Sequence, residues 1–256
     1  MTFKDHFSTQ AYDYARYRPD YPQDLFAWLA NESPARELAW DSATGSGQAA
    51  LSLAEHFSAV TATDASEAQI RHAHAHPRVA YAVSPSEGTA IATGAVDLVF
   101  VAQALHWFDL PAFYREVHRV TRQGALVAVC SYALMAVEPA IDAVVEHFYS
   151  HTLEGHWPPE RVHVERGYSD LPFPFARIDH PNFEMCRQWD LATLLGYLGT
   201  WSAVARYRNA NGADPLAALA NELAAHWGDP DTAKTVRWPL KLMIGRVSQR
   251  HNAAEA

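Results

Sequence analysis

Apolar residues fall into two rhythms along this chain. Short runs that are apolar on both faces alternate with stretches where apolar residues recur every three or four positions. The first rhythm reads as buried strands and the second as amphipathic helices. Strands are expected at 36–42 (RELAWDS), 59–64 (AVTATD), 78–84 (RVAYAVS), 95–103 (AVDLVFVAQ) and 124–132 (GALVAVCSY). Helices are expected at 23–31, behind the prolines at 19 and 22, and from a glycine-rich loop to Phe57. Two more follow at 66–76, with Ser66 as N-cap, and at 110–121, with Phe113, Val117 and Val120 on one side. Strict alternation from 36 to 132 predicts a parallel sheet joined by right-handed crossovers.

The rhythm breaks after Tyr132. Residues 137–155 read as helical, and 156–177 are rich in proline, glycine and aromatics, a loop or lid composition. A sixth strand is expected at 182–190 (NFEMCRQWD), helices at 190–208 and 214–227, and a last strand at 234–247, where Pro239 calls for an edge or a bulge. The tail SQRHNAAEA reads as frayed, and no internal repeat is visible. The expected division is one domain over 1–256. It has an N-terminal cap segment at 1–22, a ligand-binding core at 36–132, an insert or lid at 133–180, and C-terminal elements at 181–250 that complete the sheet.

Composition narrows the function classes. With 49% hydrophobic and 19% charged residues in 256, the chain is globular. A formal net charge of -9 argues against nucleic acid as partner. No apolar run approaches membrane-span length, and the N-terminus has no signal-peptide core, so a cytoplasmic protein is expected. Cys130 and Cys186 sit in strand-like runs and read as buried free thiols.

The most informative stretch is DSATGSGQ, residues 41–48. An acid closes a strand, a loop of small residues follows, and a helix begins. Glycines admit positive φ and remove side chains that would keep a ligand away. The loop lies at the carboxyl end of parallel strands, beside a helix start with unpaired N–H groups. Asp64 ends the next strand, where one carboxylate can take both hydroxyls of a ribose. Together they point to a nucleoside-containing cofactor. GSGQAA also satisfies the dinucleotide pattern, so NAD competes, although Asp41 would repel a pyrophosphate. S-adenosylmethionine offers a ribose for Asp64, an ammonium for the Asp41 loop and a sulfonium that aromatic rings can favour.

Taken together, WDSATGSGQAALSLA, VTATDAS, VDLVFVAQALHWFD and FYREVHRV resemble the class I S-adenosylmethionine-dependent methyltransferases. The likeness is closest to the small-molecule branch that includes trans-aconitate methyltransferase-like proteins. YDYARYRPDYP, LGYLGTWSAVARYR and VRWPLKLMIGR extend it nearly end to end. The resemblance implies a Rossmann-like α/β fold. Its seven-stranded, mostly parallel sheet has an antiparallel last strand, helices on both faces, a helical N-terminal cap and an insert after the fifth strand. It implies that Asp41, Ala43, Gly45, Gly47 and Gln48 form the first cofactor motif, that Asp64 takes the ribose, and that Ala65 and Ser66 flank the adenine. Ser86 and Glu87 would face the adenine, and Gln103 would lie under the methionine portion. Tyr14 and Arg18 would cover the cofactor, Arg18 pairing with its carboxylate. The family usually has glycine where this chain has Ala43, and often an acid where it has Pro85.

The expected activity is therefore methyl transfer from S-adenosylmethionine, leaving S-adenosylhomocysteine, to a small molecule by a monomer or homodimer. A carboxylate acceptor needs no general base. A hydroxyl or amine acceptor does, and His106 is the candidate, with Trp107 and Trp201 toward the substrate. Arg16 and Arg18 favour an anionic acceptor. An NAD-dependent oxidoreductase and a degenerate methyltransferase-fold binding protein remain as alternatives. His72, His74 and His76 share a face only on a strand; on the expected helix they do not, which argues against a metal site. HWPPERV reads as a mobile loop by composition, and nothing in the sequence places its His156 and Trp157 against substrate.

Overall fold

The computed structural model describes residue 17 and residues 19–248. Tyr14, Arg16, Arg18 and the tail from residue 249 lie outside the described residues, as does most of the expected cap. The strands, in chain order, are β1 (Leu38–Ser42), β2 (Ala59–Asp64), β3 (Val79–Val83), β4 (Val96–Ala102), β5 (Thr121–Ser131), β6 (Ala176–Arg177), β7 (Glu184–Trp189), β8 (Lys234–Pro239) and β9 (Lys241–Arg246). The helices are α1 (Gln23–Glu32), α2 (Gln48–Ala54), α3 (Glu67–Arg71), α4 (Leu110–Val120), α5 (Pro139–His147), α6 (Arg161–Glu165), α7 (Leu191–Gly199), α8 (Ser202–Asn211) and α9 (Leu216–Trp227).

Seven strands form one sheet in the order β3-β2-β1-β4-β5-β9-β6. The first five run parallel, and β9 lies antiparallel to both β5 and β6. Each face carries its own apolar layer. On one, Leu25, Phe26 and Leu29 of α1 and Leu53 of α2 cover Ala39, Leu98, Phe100 and Ala128. On the other, Phe113 and Val117 of α4 and Val164 of α6 cover Trp40, Val99, Val101 and Val127. Removing each such side chain from water contributes about 2 kcal/mol. The central strands are apolar on both faces because both faces are covered. The order reverses between β1 and β4, so their carboxyl ends open a crevice at the topological switch point.

Cap chemistry sets several helix starts. Asp109 Oδ1 accepts from the Ala112 N–H at 3.1 Å ahead of α4, and Asp190 Oδ1 accepts from the Thr193 N–H at 2.7 Å ahead of α7. Ser66 caps α3 as expected. No helix among the described residues is long and apolar enough to cross a membrane.

Several expectations need correction. The strand at 184–189 does not join the main sheet; β7 pairs with β8 in a separate antiparallel ribbon. The sheet's edge place beyond β9 goes to β6, a two-residue strand inside the segment read as loop. The long final strand is two strands, because Pro239 has no N–H with which to continue the ladder and the chain switches sheets at Leu240. The helix expected over 190–208 breaks at Thr200 and Trp201. That over 66–76 stops at Arg71, short of the histidines. The one over 137–155 runs to His147 and continues as a π turn over Phe148–Thr152. Residues 161–165, read as loop, form α6. Cys130 is buried but Cys186 is exposed, because β7 belongs to a two-stranded ribbon with an open face.

Candidate functional site

The glycine-rich loop leaves β1 and crosses toward the end of β2, where the Thr44 N–H donates to the Thr63 carbonyl at 2.9 Å. Three of its residues have left-handed backbone: Ala43 at φ 58°, Gly45 at 57° and Gly47 at 90°. The two glycines do different work. A Cβ on Gly45 would meet nothing within 4 Å, so that position opens onto free space. A Cβ on Gly47 would stand 2.3 Å from the Tyr81 hydroxyl. Gly47 therefore makes room for the ring of Tyr81, whose hydroxyl donates to the His74 carbonyl at 3.0 Å. Ala43 holds a conformation that costs an L-residue about 1–2 kcal/mol.

Two carboxylates brace this loop. Asp41 is buried, accepts from the Thr44 hydroxyl, and is bonded to the backbone of Ala50 at the start of α2. Burial raises its pKa from the ordinary carboxylate range to about 7, and the nearby Asp64 charge adds to the rise. Asp64 is half-buried. Its Oδ2 accepts from the Gly45 N–H at 2.9 Å and its Oδ1 from the Ser66 N–H at 2.8 Å. Ala65, beside it, is exposed, and Ser66 is held as the α3 cap. Gln48, half-buried, opens α2 directly after Gly47.

The rim beyond β3 is tied to β1 and α4. The Ser42 hydroxyl donates to Ser86 Oγ at 2.8 Å, and Glu87 Oε1 accepts from the Asp109 N–H at 2.9 Å. Ser86 stays beside the crevice, while Glu87 reaches away to the start of α4. At the end of β4, Gln103 has φ 56° and its amide N–H and Nε2 donate to the carbonyls of Cys130 and Tyr132. It thus clamps the ends of β4 and β5 in a strained backbone, a feature that clusters at ligand sites.

One turn later, the 3-10 segment Leu105–Trp107 presents His106 and Trp107, both half-buried. His106 Nδ1 lies 2.9 Å from the hydroxyl of Tyr168, which is buried and itself has φ 61°. Burial raises the Tyr168 pKa and lowers that of His106 to about 3, with the Arg161 and His163 charges adding to the fall. Both groups are therefore neutral near pH 7. The Tyr168 hydroxyl has no other hydrogen-bond partner among the described residues, so its O–H is assigned as donor to Nδ1. The histidine proton then sits on Nε2, an assignment from the network.

Trp201 lies in a wall of rings. Its centroid is 5.8 Å from Tyr149, 5.5 Å from Trp157 and 6.1 Å from Tyr197. Sequence reasoning missed Tyr149, Tyr168 and Arg161. The segment around Arg161 reads as loop by its prolines, and no spacing rule marks the approach of Arg161 to the Trp157 ring across Pro158 and Pro159. The structure brings together Asp41, Ala43, Gly45, Gly47, Asp64 and Ser86 around the crevice, and separately His106 with Tyr168 after β4, while Trp201 sits among the rings of the opposite layer. Among the described residues no group of acids, histidines or cysteines is arranged to hold a metal ion.

Comparison with known proteins bears on this geometry. Residues 40–129, which run from β1 into β5, match the family model described as a methyltransferase domain. A protein of Dictyostelium discoideum named as a methyltransferase is 32% identical over 251 residues, covering 95% of each chain. A solved structure from Anaeromyxobacter dehalogenans, assigned as a type II methyltransferase, is 50% identical with a TM-score of 0.87, covering 91% of this chain and 99% of that one. The YcgJ protein of Bacillus subtilis shares the fold at 17% identity and a TM-score of 0.51, covering 89% of this chain and all of the other. With a likeness that runs nearly the length of the chain, this protein belongs to the class I methyltransferase family.

Proposed function

We propose that this chain transfers a methyl group from S-adenosylmethionine to a small-molecule carboxylate, as the resemblance to trans-aconitate methyltransferase-like proteins suggests. The observation that carries the cofactor assignment is the pairing of open space at Gly45 with the Asp64 carboxylate. The residues present fit the group: Asp64, at the end of β2 beside the glycine loop, would face the ribose hydroxyls, Ala65 and Ser86 would border the adenine position, and Gln103 would form the floor beneath the methionine portion. When bound, S-adenosylmethionine supplies a sulfonium methyl group open to in-line attack. Residues 133–180 serve as the lid. An NAD-dependent oxidoreductase is not favoured, given the family, and an acidic chain suits a small acceptor better than nucleic acid.

The state of His106 supports the acceptor class. A general base works best with a pKa near the operating pH, and burial holds this one at about 3. His106 is thus a poor proton acceptor, and its Nε2–H is a donor. A carboxylate arrives already ionised, supplies its own electron pair and accepts a hydrogen bond. The chain's part is positioning and exclusion of water. The test is radiolabelled methyl transfer to a panel of small carboxylates, amines and phenols. Carboxylates should take up label that alkali releases, as from a methyl ester, at a rate flat across neutral pH for the His106 step. Alkali-stable label on amines or phenols alone would refute the carboxylate acceptor.

A further inference from the structure

Arg161 is held in a way that neither the fold nor the reading above uses. Its Nε donates to the Tyr149 hydroxyl at 3.0 Å, and that hydroxyl donates in turn to the Glu165 carboxylate. Its guanidinium carbon lies 5.6 Å from the ring centroid of Tyr149 and 5.1 Å from that of Trp157. The Trp157 Nε1–H donates to the Tyr149 carbonyl at 3.0 Å, which fixes the second ring against the first. Tyr149 enters this arrangement from the π turn that follows α5, a local irregularity often found at functional sites. The two terminal amino groups of Arg161 have no hydrogen bond and no ion pair among the described residues.

That combination is informative. Glu165 is only one turn away, yet it engages the hydroxyl of Tyr149 instead of the guanidinium. A half-buried arginine whose stem is fixed and whose fork is unpaired is pre-organised for a carboxylate or phosphate, the anions that match two parallel N–H donors. The same observation excludes another use of the rings. An aromatic cage for an external ammonium would find its place taken by Arg161. The location fits as well. Val164 of α6 shares a buried layer with Leu105, so the helix that carries Arg161 packs on the turn that carries His106.

We propose that Arg161 reads the anionic group of the methyl acceptor, with Tyr149, Trp157 and Trp201 as the wall that receives the acceptor's planar or apolar body. This makes Arg161 a specificity-determining residue, and it rests on the methyltransferase reading.

The test uses the full chain saturated with S-adenosylhomocysteine, with tryptophan fluorescence and calorimetry as readouts. The probes are benzoate, phenylphosphonate and their neutral counterpart benzamide, titrated into the wild type, Arg161→Gln and Arg161→Lys. At least one anion should bind the wild type about tenfold or more tightly than benzamide, as expected for a desolvated charge pair. Arg161→Gln should lose that preference with S-adenosylhomocysteine affinity unchanged, and Arg161→Lys should keep part of it. If Arg161→Gln does not fold, Arg161→Lys with its intact charge but lost fork carries the comparison. Equal binding of anion and amide, no anion binding, or a preference untouched by both substitutions would overturn the assignment. Failure of S-adenosylhomocysteine to bind the wild type would instead overturn the methyltransferase reading itself.

Discussion

The two glycines of the loop predict a pair of substitutions with different costs. Gly45→Ala places a Cβ in open space at φ 57°. The left-handed backbone costs alanine about 1–2 kcal/mol. The stiffer unfolded chain returns about 0.4–1 kcal/mol. The net destabilisation is about 1 kcal/mol, and Ala43 shows that the loop tolerates this conformation at φ 58°. Gly47→Ala carries the same backbone cost, but its Cβ would stand 2.3 Å from the Tyr81 hydroxyl and 3.0 Å from two ring carbons. Forcing that ring aside adds about 1–3 kcal/mol of overpacking. The hydroxyl is also anchored to the His74 carbonyl at 3.0 Å, so its displacement loses a hydrogen bond. The total is about 3 kcal/mol. In a Tyr81→Ala background the steric part vanishes, giving a coupling of about 1–2 kcal/mol between the two sites. Urea denaturation followed by far-ultraviolet circular dichroism on the four corners of that cycle, plus Gly45→Ala, measures all of it. Equal costs at the two glycines, or no coupling with Tyr81, would refute the reasoning. Gly45→Ala should also weaken cofactor binding despite its small effect on stability, because it fills the space assigned to the ligand.

Two further predictions concern buried acids. Asp41 has a folded pKa of about 7, raised by burial above its unfolded value, so the native state holds its proton more tightly. Its contribution to stability is full below the unfolded pKa and is lost as pH rises toward 7; Asp41→Asn should flatten that part of the pH–stability curve, and an unchanged curve would contradict the assignment. Asp97 is fully buried, accepts the Glu37 and Leu38 N–H groups at 2.9 and 3.0 Å, and pairs with Arg122 at 2.8 Å. Asp97→Ala strands those groups and should cost about 3 kcal/mol in chemical denaturation without changing cofactor affinity, since the site lies at the amino end of β4.

The cofactor half of the molecule was legible in the sequence because its rules are local. A buried parallel strand declares itself by its apolar run, and a glycine loop between strand and helix declares close approach. The acceptor half was not legible in the same way. Pro158 and Pro159 mark the segment before Arg161 as irregular, and no local pattern says that its tryptophan and arginine meet Tyr149 of the π turn. Strand identity near the C-terminus failed for a related reason. The runs at 182–190 and 234–247 have the right composition, but which sheet each joins depends on partners far away in sequence. The two-residue β6 is too short to carry any pattern. His106 was read from the sequence as following β4, and the structure places it in the 3-10 segment after that strand. Its neutral state depends on burial and on the charges of Arg161 and His163, residues far along the chain that no spacing rule connects to it.

The central claim is that Asp64 and the open position at Gly45 hold the ribose of S-adenosylmethionine. Calorimetric titration of the purified chain with S-adenosylmethionine and S-adenosylhomocysteine, beside Asp64→Ala, tests it most directly. Micromolar binding of both by the wild type is expected, with its loss in a variant that keeps its circular dichroism. Undiminished binding in Asp64→Ala would contradict the assignment of the ribose acid, and tight binding of NAD with none of either sulfur ligand would contradict the account as a whole.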